Sequence, residues 1–334
     1  QLPAVVDVRS AQKAGTPQVW DEVPGNIALD FLFGEPDKVA AAFASAAHVT
    51  KLRLENKRLI VAAMEPRACV ADYDKAAAKF TLYASTQGVL GSRATAAGLM
   101  KVTPDKMRFV AVNVGGSFGM KAAVFPEYVC AMHAARDLGR PVKWTDTRSE
   151  GFTSDHHGRA QDFDAALALD KDGRILALRL DGFADMGAYL TNFGPVMPTL
   201  NVLKHVASLY RTPLMEVSTR CMFTNTVPIT AYRGAGRPEG NYYMERLIDT
   251  AGREMGIDPA EIRRRNLIQP NEFPFKAASG SVYDCGDFPA ILERALALSD
   301  WAGFPKRAAE SKARGRLRGR GIGQFLEKNH FFLK

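Results

Sequence analysis

The chain has 334 residues, 46% of them hydrophobic and 24% charged, a balance that excludes disordered, collagen-like and disulfide-scaffold proteins and suits two domains or one large one. Mean hydropathy is -0.15, and no apolar run approaches the roughly 20 residues of a membrane-spanning helix. The net charge of +8 is unevenly spread: from Trp301 to Lys334 there are nine basic residues and two acidic ones, so the body of the chain is almost neutral.

In chain order, residues 1–35 are rich in Pro, Val and Asp and suggest an extended lead-in without regular periodicity. The small residues of 36–44 favour a helix. Segments 48–54 and 58–63 alternate as strands about a turn at Asn56, and 71–74 and 79–84 give two more. A helix follows over 86–100, with Gln87 near its start, then a strand at 107–113 running into glycines. An apolar helix over 128–138 stops at Gly139. The clearest local pattern is a hairpin of 160–170 and 174–184 around Asp172-Gly173. A strand at 215–224 precedes helices over 241–255, 259–266 (capped by Asp258 before Pro259) and 288–298. The Gly/Arg stretch 314–320 suggests a linker.

Strands and helices alternate without regular βαβ spacing, which predicts an α+β fold of mixed sheets with packed helices rather than a doubly wound sheet. The expected organisation is a lead-in (1–35), a main region (36–300) of two subdomains divided near 150–230, and a basic linker or tail (301–334). That tail has few aromatics among its cations, so a solvated segment or partner-facing surface is expected and nucleic-acid binding is not. Cys69, Cys130, Cys221 and Cys285 show no CxxC or CxxH spacing, which suggests buried structural thiols in a reducing compartment. With no secretory pattern in the opening QLPAVVDVRS, a cytoplasmic location and no membrane association are expected.

Three segments depart from ordinary scaffold. VGGSFGMK (114–121) joins a strand to an expected helix, and its glycines let backbone N–H groups approach an anion closely. It is neither a Walker A loop, because Met120 stands where glycine is needed, nor GxGxxG, because Val114 does. AYRGAGRPEG (231–240) suits a rigid loop that sets Arg233 beside an anionic or oxo-bearing group. ASTQG (84–88) puts Gln87 at a strand–helix junction. Each alone also fits a plain structural role: a tight turn, a connection with solvated arginines, a backbone-satisfying amide. His156-His157 is read as a structural polar turn, since adjacent residues face opposite ways on a strand. Asp185 to Tyr189 suggests a strand-end bulge or a channel lining. Glu239 and Glu245 are candidate bases, Glu245 being expected to be paired or exposed on its helix.

In this order MEPRACVADYD (64–74), STQG, GGSFGMK, RSEGFTSDHHGR (148–159) and AYRGAGRPEGNYYMERLID (231–249) resemble the molybdenum-binding large subunit of the xanthine oxidase/aldehyde oxidase/CO dehydrogenase family of molybdenum hydroxylases. The resemblance covers nearly the whole chain. It implies a pterin-dithiolene molybdenum centre between large-subunit domains, with Gln87 beside the metal's ligands. It implies that Gly116, Ser117, Phe118 and Gly119 offer N–H groups to the oxo group and pterin. Arg233 would approach the metal while Gly234, Ala235 and Gly236 line the pocket. Gln87, Phe118 and Arg233 thus lie near molybdenum without being its direct ligands.

The implied cofactor is molybdopterin in its cytosine dinucleotide form, with iron–sulfur clusters and FAD on partner subunits. The implied partners are the remainder of the large subunit, an iron–sulfur small subunit and an FAD medium subunit. The substrate class is an aldehyde or an aromatic heterocycle, oxidised with water as oxygen source. Gly234 stands where CO-oxidising members carry Cys, which argues against copper-linked CO oxidation. Ala235 and Ala122 stand where purine-oxidising members carry Phe and Glu, removing contacts to a purine ring.

In the family the base is a Glu of the second molybdenum-binding half. GQFLEKNHFFLK (323–334) follows the family briefly and breaks off, so no catalytic residue is expected in this chain. A fragment, split subunit or truncated product, inactive alone and exposing apolar surface, is therefore expected. The alternative is a non-catalytic truncated domain that acts through protein–protein or acidic-partner contacts.

Overall fold

The structure, a computed structural model, describes residues 2–327; the Phe-rich end of the chain, with Lys328 and Lys334 of the basic tail, lies outside them. The described chain forms β1 (Ile27–Gly34), α1 (Pro36–Ser45), β2 (His48–Asn56), β3 (Ala68–Asp74), β4 (Lys79–Ala84), α2 (Val89–Leu99) and β5 (Met107–Val110). It continues through α3 (Pro126–Leu138), β6 (Val142–Thr145), α4 (Arg148–Ser154), β7 (Gln161–Leu169), β8 (Ile175–Gly187), α5 (Val202–Val206) and β9 (Leu214–Phe223). Last come α6 (Arg237–Glu254), α7 (Pro259–Asn266), the two-residue strands β10 (Phe275–Lys276) and β11 (Val282–Tyr283), α8 (Phe288–Leu298) and α9 (Phe304–Ala313).

A five-stranded sheet runs in the order β1-β9-β8-β7-β2, and a four-stranded sheet in the order β5-β4-β3-β6. Both are mixed, since β8 and β9 are parallel, as are β4 and β5, while the other pairs are antiparallel. The fold is therefore α+β. The smaller sheet is an insertion between β2 and β7, so the chain crosses between sheets twice, at 57–67 and 146–160, rather than once within 150–230.

Helices cover the sheets, α6 on one face of the large sheet and α1 on the other through Val39 against Ala168 and Ala177. Along α6, Tyr243, Met244, Leu247, Ile248 and Ala251 are fully buried at helical spacing and pack with Phe163, Leu167, Leu180 and Val217 of the large sheet. Burying each large side chain contributes about 1.5–3 kcal/mol. In the small sheet Ala71, Phe80 and Leu82 pack with Ala96 of α2 and Tyr128, Met132 and Ala135 of α3. The β7–β8 hairpin closes as its sequence predicts: Gly173 adopts φ +77°, and the Asp170 carboxylate accepts the N–H groups of Asp172 and Arg174.

Several local expectations fail for identifiable reasons. Residues 27–34 are not lead-in but the edge strand β1, in which exposed Ile27, Leu29 and Leu32 mask the alternation of Phe31 and Phe33 that pack on the core. Segment 58–63 is not a strand. Arg58 turns inward to bond Asp185, Thr226 and the Val227 carbonyl, leaving only a single bridge at Leu59. Helix α4 is absent from the sequence prediction although Thr147 and Glu150 make a complete capping box. The 301–334 tail contains α9, and Arg320 stacks 3.8 Å from the Trp301 ring centre, so part of it is docked. No α-helix directly follows the glycine segment; a three-residue 3-10 turn does, and α3 starts only at Pro126. Cys69 and Cys221 are buried, with thiols pushed up to about 11 and about 12, whereas Cys130 and Cys285 are exposed. Among the described residues no helix is long and apolar enough to cross a membrane.

His156 is half-buried, its ring packed on Phe125 with centres 4.7 Å apart and its Nδ1 out of reach of solvent, and this desolvation, reinforced by the charge of Arg67, pushes its imidazole down to about 4. Between pH 6.5 and about 4 the unfolded chain therefore binds a proton that the folded one refuses. This contribution is complete above pH 6.5 and is lost on acidification toward pH 4, up to about 3 kcal/mol. Burial raises Glu239 and Glu245, which oppose the trend in the same window. The clean measurement is therefore a difference: His156→Phe should gain stability over wild type progressively as urea denaturation is moved from pH 7 to pH 4.5. A pH-independent difference would contradict a desolvated neutral imidazole.

Candidate functional site

The ends of β4 and β5 and the entry to α6 bring the three singled-out segments into contact. The Gln87 side-chain oxygen accepts hydrogen bonds from the Ser117 hydroxyl at 2.7 Å and the Gly119 N–H at 2.8 Å. The Arg233 N–H donates to the Phe118 carbonyl at 3.0 Å, and the Arg233 guanidinium lies 5.8 Å from the Phe118 ring centre. Gln87, Phe118 and Arg233 are all exposed, so they form an open face rather than a closed chamber.

The backbone at this face is held in left-handed conformations. Gly116 and Gly119 have φ of +101° and +105°, and Phe118 between them adopts +50°. Gly234, Ala235 and Gly236 have φ of +92°, +50° and +89°. A non-glycine residue in this region costs about 1–3 kcal/mol, which the surrounding contacts must hold in place. At Gly119 the requirement is absolute: a Cβ would sit 2.1 Å from the Ala231 carbonyl oxygen. The N–H groups of Gly116, Ser117 and Phe118 have no hydrogen-bond partner among the described residues, a row of donors at a concave turn.

Two ion pairs brace the two loops, and their bracing role was missed from sequence. Lys121, fully buried, donates to the Glu65 carboxylate at 2.6 Å and to the Glu65 carbonyl at 2.9 Å. The same carboxylate accepts from the Ser85 hydroxyl and the Gly115 N–H, while the Lys121 carbonyl accepts from Thr86 and from the Gln87 N–H. Burial alone would raise the Glu65 pKa, but the bonds from Lys121, Ser85 and Gly115 outweigh it and hold it below the usual carboxylate range. Arg159 bridges the Glu239 carboxylate at 2.8 Å to the carbonyls of Tyr232 and Arg233. Glu65 and Arg159 lie inside recognisable motifs and Lys121 closes one, yet spacing alone does not reveal that a charge is buried and paired.

Gly234, Ala235 and Gly236 pack on Pro238 at the start of α6 and on the 197–201 segment. The Ala235 carbonyl accepts from the Asn201 amide, and a Cβ on Gly236 would meet Asn201 and the Met197 carbonyl. Of the candidate bases, Glu239 is occupied by Arg159, and Glu245 lies buried between Arg263 at 2.8 Å and the Tyr210 hydroxyl at 2.6 Å. His157 joins the turn by bonding the Pro228 carbonyl through its N–H.

A sequence model of the molybdopterin cofactor-binding domain matches residues 19–267. The chain is 34% identical over 301 residues to the 6-hydroxypseudooxynicotine dehydrogenase complex subunit gamma of Paenarthrobacter nicotinovorans, covering 89% of this chain and 37% of that one. It is 31% identical over 328 residues to the carbon monoxide dehydrogenase large chain of Hydrogenophaga pseudoflava, covering 94% and 40%. The crystal structure of quinoline 2-oxidoreductase from Pseudomonas putida 86 matches with a TM-score of 0.89 at 32% identity, covering 94% of this chain and 40% of that chain. The chain thus spans about 40% of the length of these relatives.

Proposed function

The chain belongs to the molybdopterin cofactor-binding domain family, and we propose that it forms one wall of the molybdenum–pterin site in the large subunit of a molybdenum hydroxylase. The observation that carries this is the locked amide of Gln87 beside the unpaired N–H row of Gly116, Ser117 and Phe118, with the Arg233 cation at its edge. When bound, the cofactor supplies a redox-active metal–oxo group. A pterin carrying phosphates and oxo groups needs several neutral donors and a fixed cation, and this face offers both.

The roles of the chain's own residues follow from their partners. Both donors to Gln87 reach its oxygen, so its amide N–H2 group is the part left to donate outward. Gly116, Ser117 and Phe118 donate from the backbone, at no cost in side-chain ordering. Arg233 supplies the cation at the edge of that row. Gly234, Ala235 and Gly236 set the turn that delivers it.

Proton abstraction from a reacting hydroxyl needs a general base within hydrogen-bond reach, and the resemblance to the family implies a carboxylate in that role. The acidic groups beside this face, Glu65 and Glu239, are engaged by Lys121 and Arg159. The base therefore comes from elsewhere in the assembled enzyme, and the isolated chain does not turn over. Purified by itself and assayed with an artificial electron acceptor, it should oxidise neither an aldehyde nor quinoline; turnover would contradict this assignment.

The proposed substrate is an aldehyde or an aromatic heterocycle, the latter favoured by the relative that acts on quinoline. Gly234 argues against copper-linked CO oxidation despite the CO dehydrogenase relative. The cofactor is proposed in its cytosine dinucleotide form. The proposed partners are the remaining large-subunit region, an iron–sulfur subunit and an FAD subunit, in keeping with a relative described as a complex subunit. The scattered free thiols suit the cytoplasm.

A further inference from the structure

At the far end of the large sheet, where β8 begins, a cavity of about 460 Å³ is lined by Arg174, Arg211, Arg265 and Lys276 together with Thr212 and Phe275. Strand β8 runs 13 residues from this cavity to the turn that leads into the Arg233 loop, roughly 40 Å, so the two sites are separate. We propose that this cavity binds a small organic oxyanion, a phosphate or carboxylate group carried on a flat aromatic body. The proposal does not depend on the cofactor reading.

The charges do not balance within the chain. Arg265 is held by Glu261 at 2.9 Å and by the Asp172 carbonyl at 2.7 Å. Arg211 has Glu272 only at 3.6 Å. Lys276 has no partner among the described residues. The guanidinium groups of Arg174 and Arg211 reach the same acceptor, the Arg265 carbonyl, at 3.5 and 3.4 Å. Bonds of that length are weak, and they bring two like charges within about 7 Å of each other. An oxyanion between them converts this repulsion into two charge-assisted hydrogen bonds, with Lys276 completing the ring. Thr212 borders the cavity at 4% exposure, and its hydroxyl has no hydrogen-bond partner among the described residues.

A bare phosphate leaves most of this space empty. The volume lies in the range of small-molecule sites, roughly 300–1,000 Å³, and Phe275 offers an apolar flank beside the cations. The aromatic body is assigned on that ground. No acidic side chain lines the cavity.

The test is calorimetric titration of the full chain at constant ionic strength with phenyl phosphate, inorganic phosphate and hexaglutamate. Phenyl phosphate should bind saturably and at least tenfold more tightly than inorganic phosphate. The paired substitution Arg211→Gln and Lys276→Gln should weaken it by tenfold or more. Affinity within twofold of wild type in that variant, equal affinity for the two phosphates, or preference for hexaglutamate would each overturn the proposal. If the variant fails to fold, wild-type Lys276 should be shielded from acetylation by phenyl phosphate but not by sulfate, and equal labelling with and without phenyl phosphate would overturn it.

Discussion

Lys121→Met should destabilise the chain by about 1–3 kcal/mol: the ammonium side is fully buried, but the Glu65 carboxylate left behind is one-third exposed and partly screened by water. The ammonium is fully buried, and its loss leaves the Glu65 carboxylate with only the Ser85 and Gly115 donors. The pH dependence gives a second signature. Because the folded Glu65 pKa is depressed, its contribution is present above the unfolded value and is lost as pH falls through the folded one. In Lys121→Met the desolvation that Lys121 had offset raises that pKa, so the Glu65 contribution shrinks and the deficit relative to wild type narrows as pH falls through the carboxylate range. Combining Lys121→Met with Glu65→Gln should recover part of the loss, since a neutral amide no longer lacks its cation. Urea denaturation supplies the stabilities, and hydrogen exchange over 113–121 reports whether the glycine turn loosens. Equal destabilisation in the single and double variants would show that the pair is not coupled.

Legibility of the fold followed the strength of the local signal. The β7–β8 hairpin was readable because Asp172-Gly173 sits between two alternating runs, and α7 because Asp258 precedes Pro259 at its start. The edge strand β1 was not, because apolar Ile27, Leu29 and Leu32 sit on its exposed positions and mask the alternation of Phe31 and Phe33, which pack on the core. The insertion of the small sheet between β2 and β7 depends on long-range pairing that no window of sequence contains.

At the site, the order of motifs pointed to Gln87, Phe118 and Arg233, and the geometry brings these segments together. The bracing by Glu65, Lys121 and Arg159 was invisible, because only burial distinguishes a structural charge from a solvated one. Gly234 packs on Pro238, and Ala235 and Gly236 contact Asn201, contacts that the motif alone did not reveal.

Gly119→Ala should be the most damaging single methyl in the wall. The added Cβ would lie 2.1 Å from the Ala231 carbonyl oxygen and 2.8 Å from its carbon, backbone atoms that cannot swing aside. The residue would also have to hold φ near +105°, outside the region open to alanine. Relief requires parting the glycine turn from the Arg233 loop, breaking the Arg233 N–H bond to Phe118 and the Gly119 N–H bond to Gln87. The expected cost is more than about 3 kcal/mol, from overpacking and backbone strain together. The contact borders the core of the small sheet through Met120 and Tyr232 but not that of the large sheet, so the helical signal of α6 and the large sheet should survive while the 113–121 and 231–236 segments lose exchange protection. Unchanged protection there would mean that the two loops do not depend on each other.

The central claim is that these loops make one wall of a molybdenum–pterin site, and metal and pterin analysis of the protein purified from its native host tests it most directly. Wild-type protein should carry molybdenum and pterin in near-equal amounts per chain and co-purify with redox subunits, and Gly119→Ala protein should be depleted in both. Wild-type protein that arrives free of molybdenum, pterin and partners would contradict it.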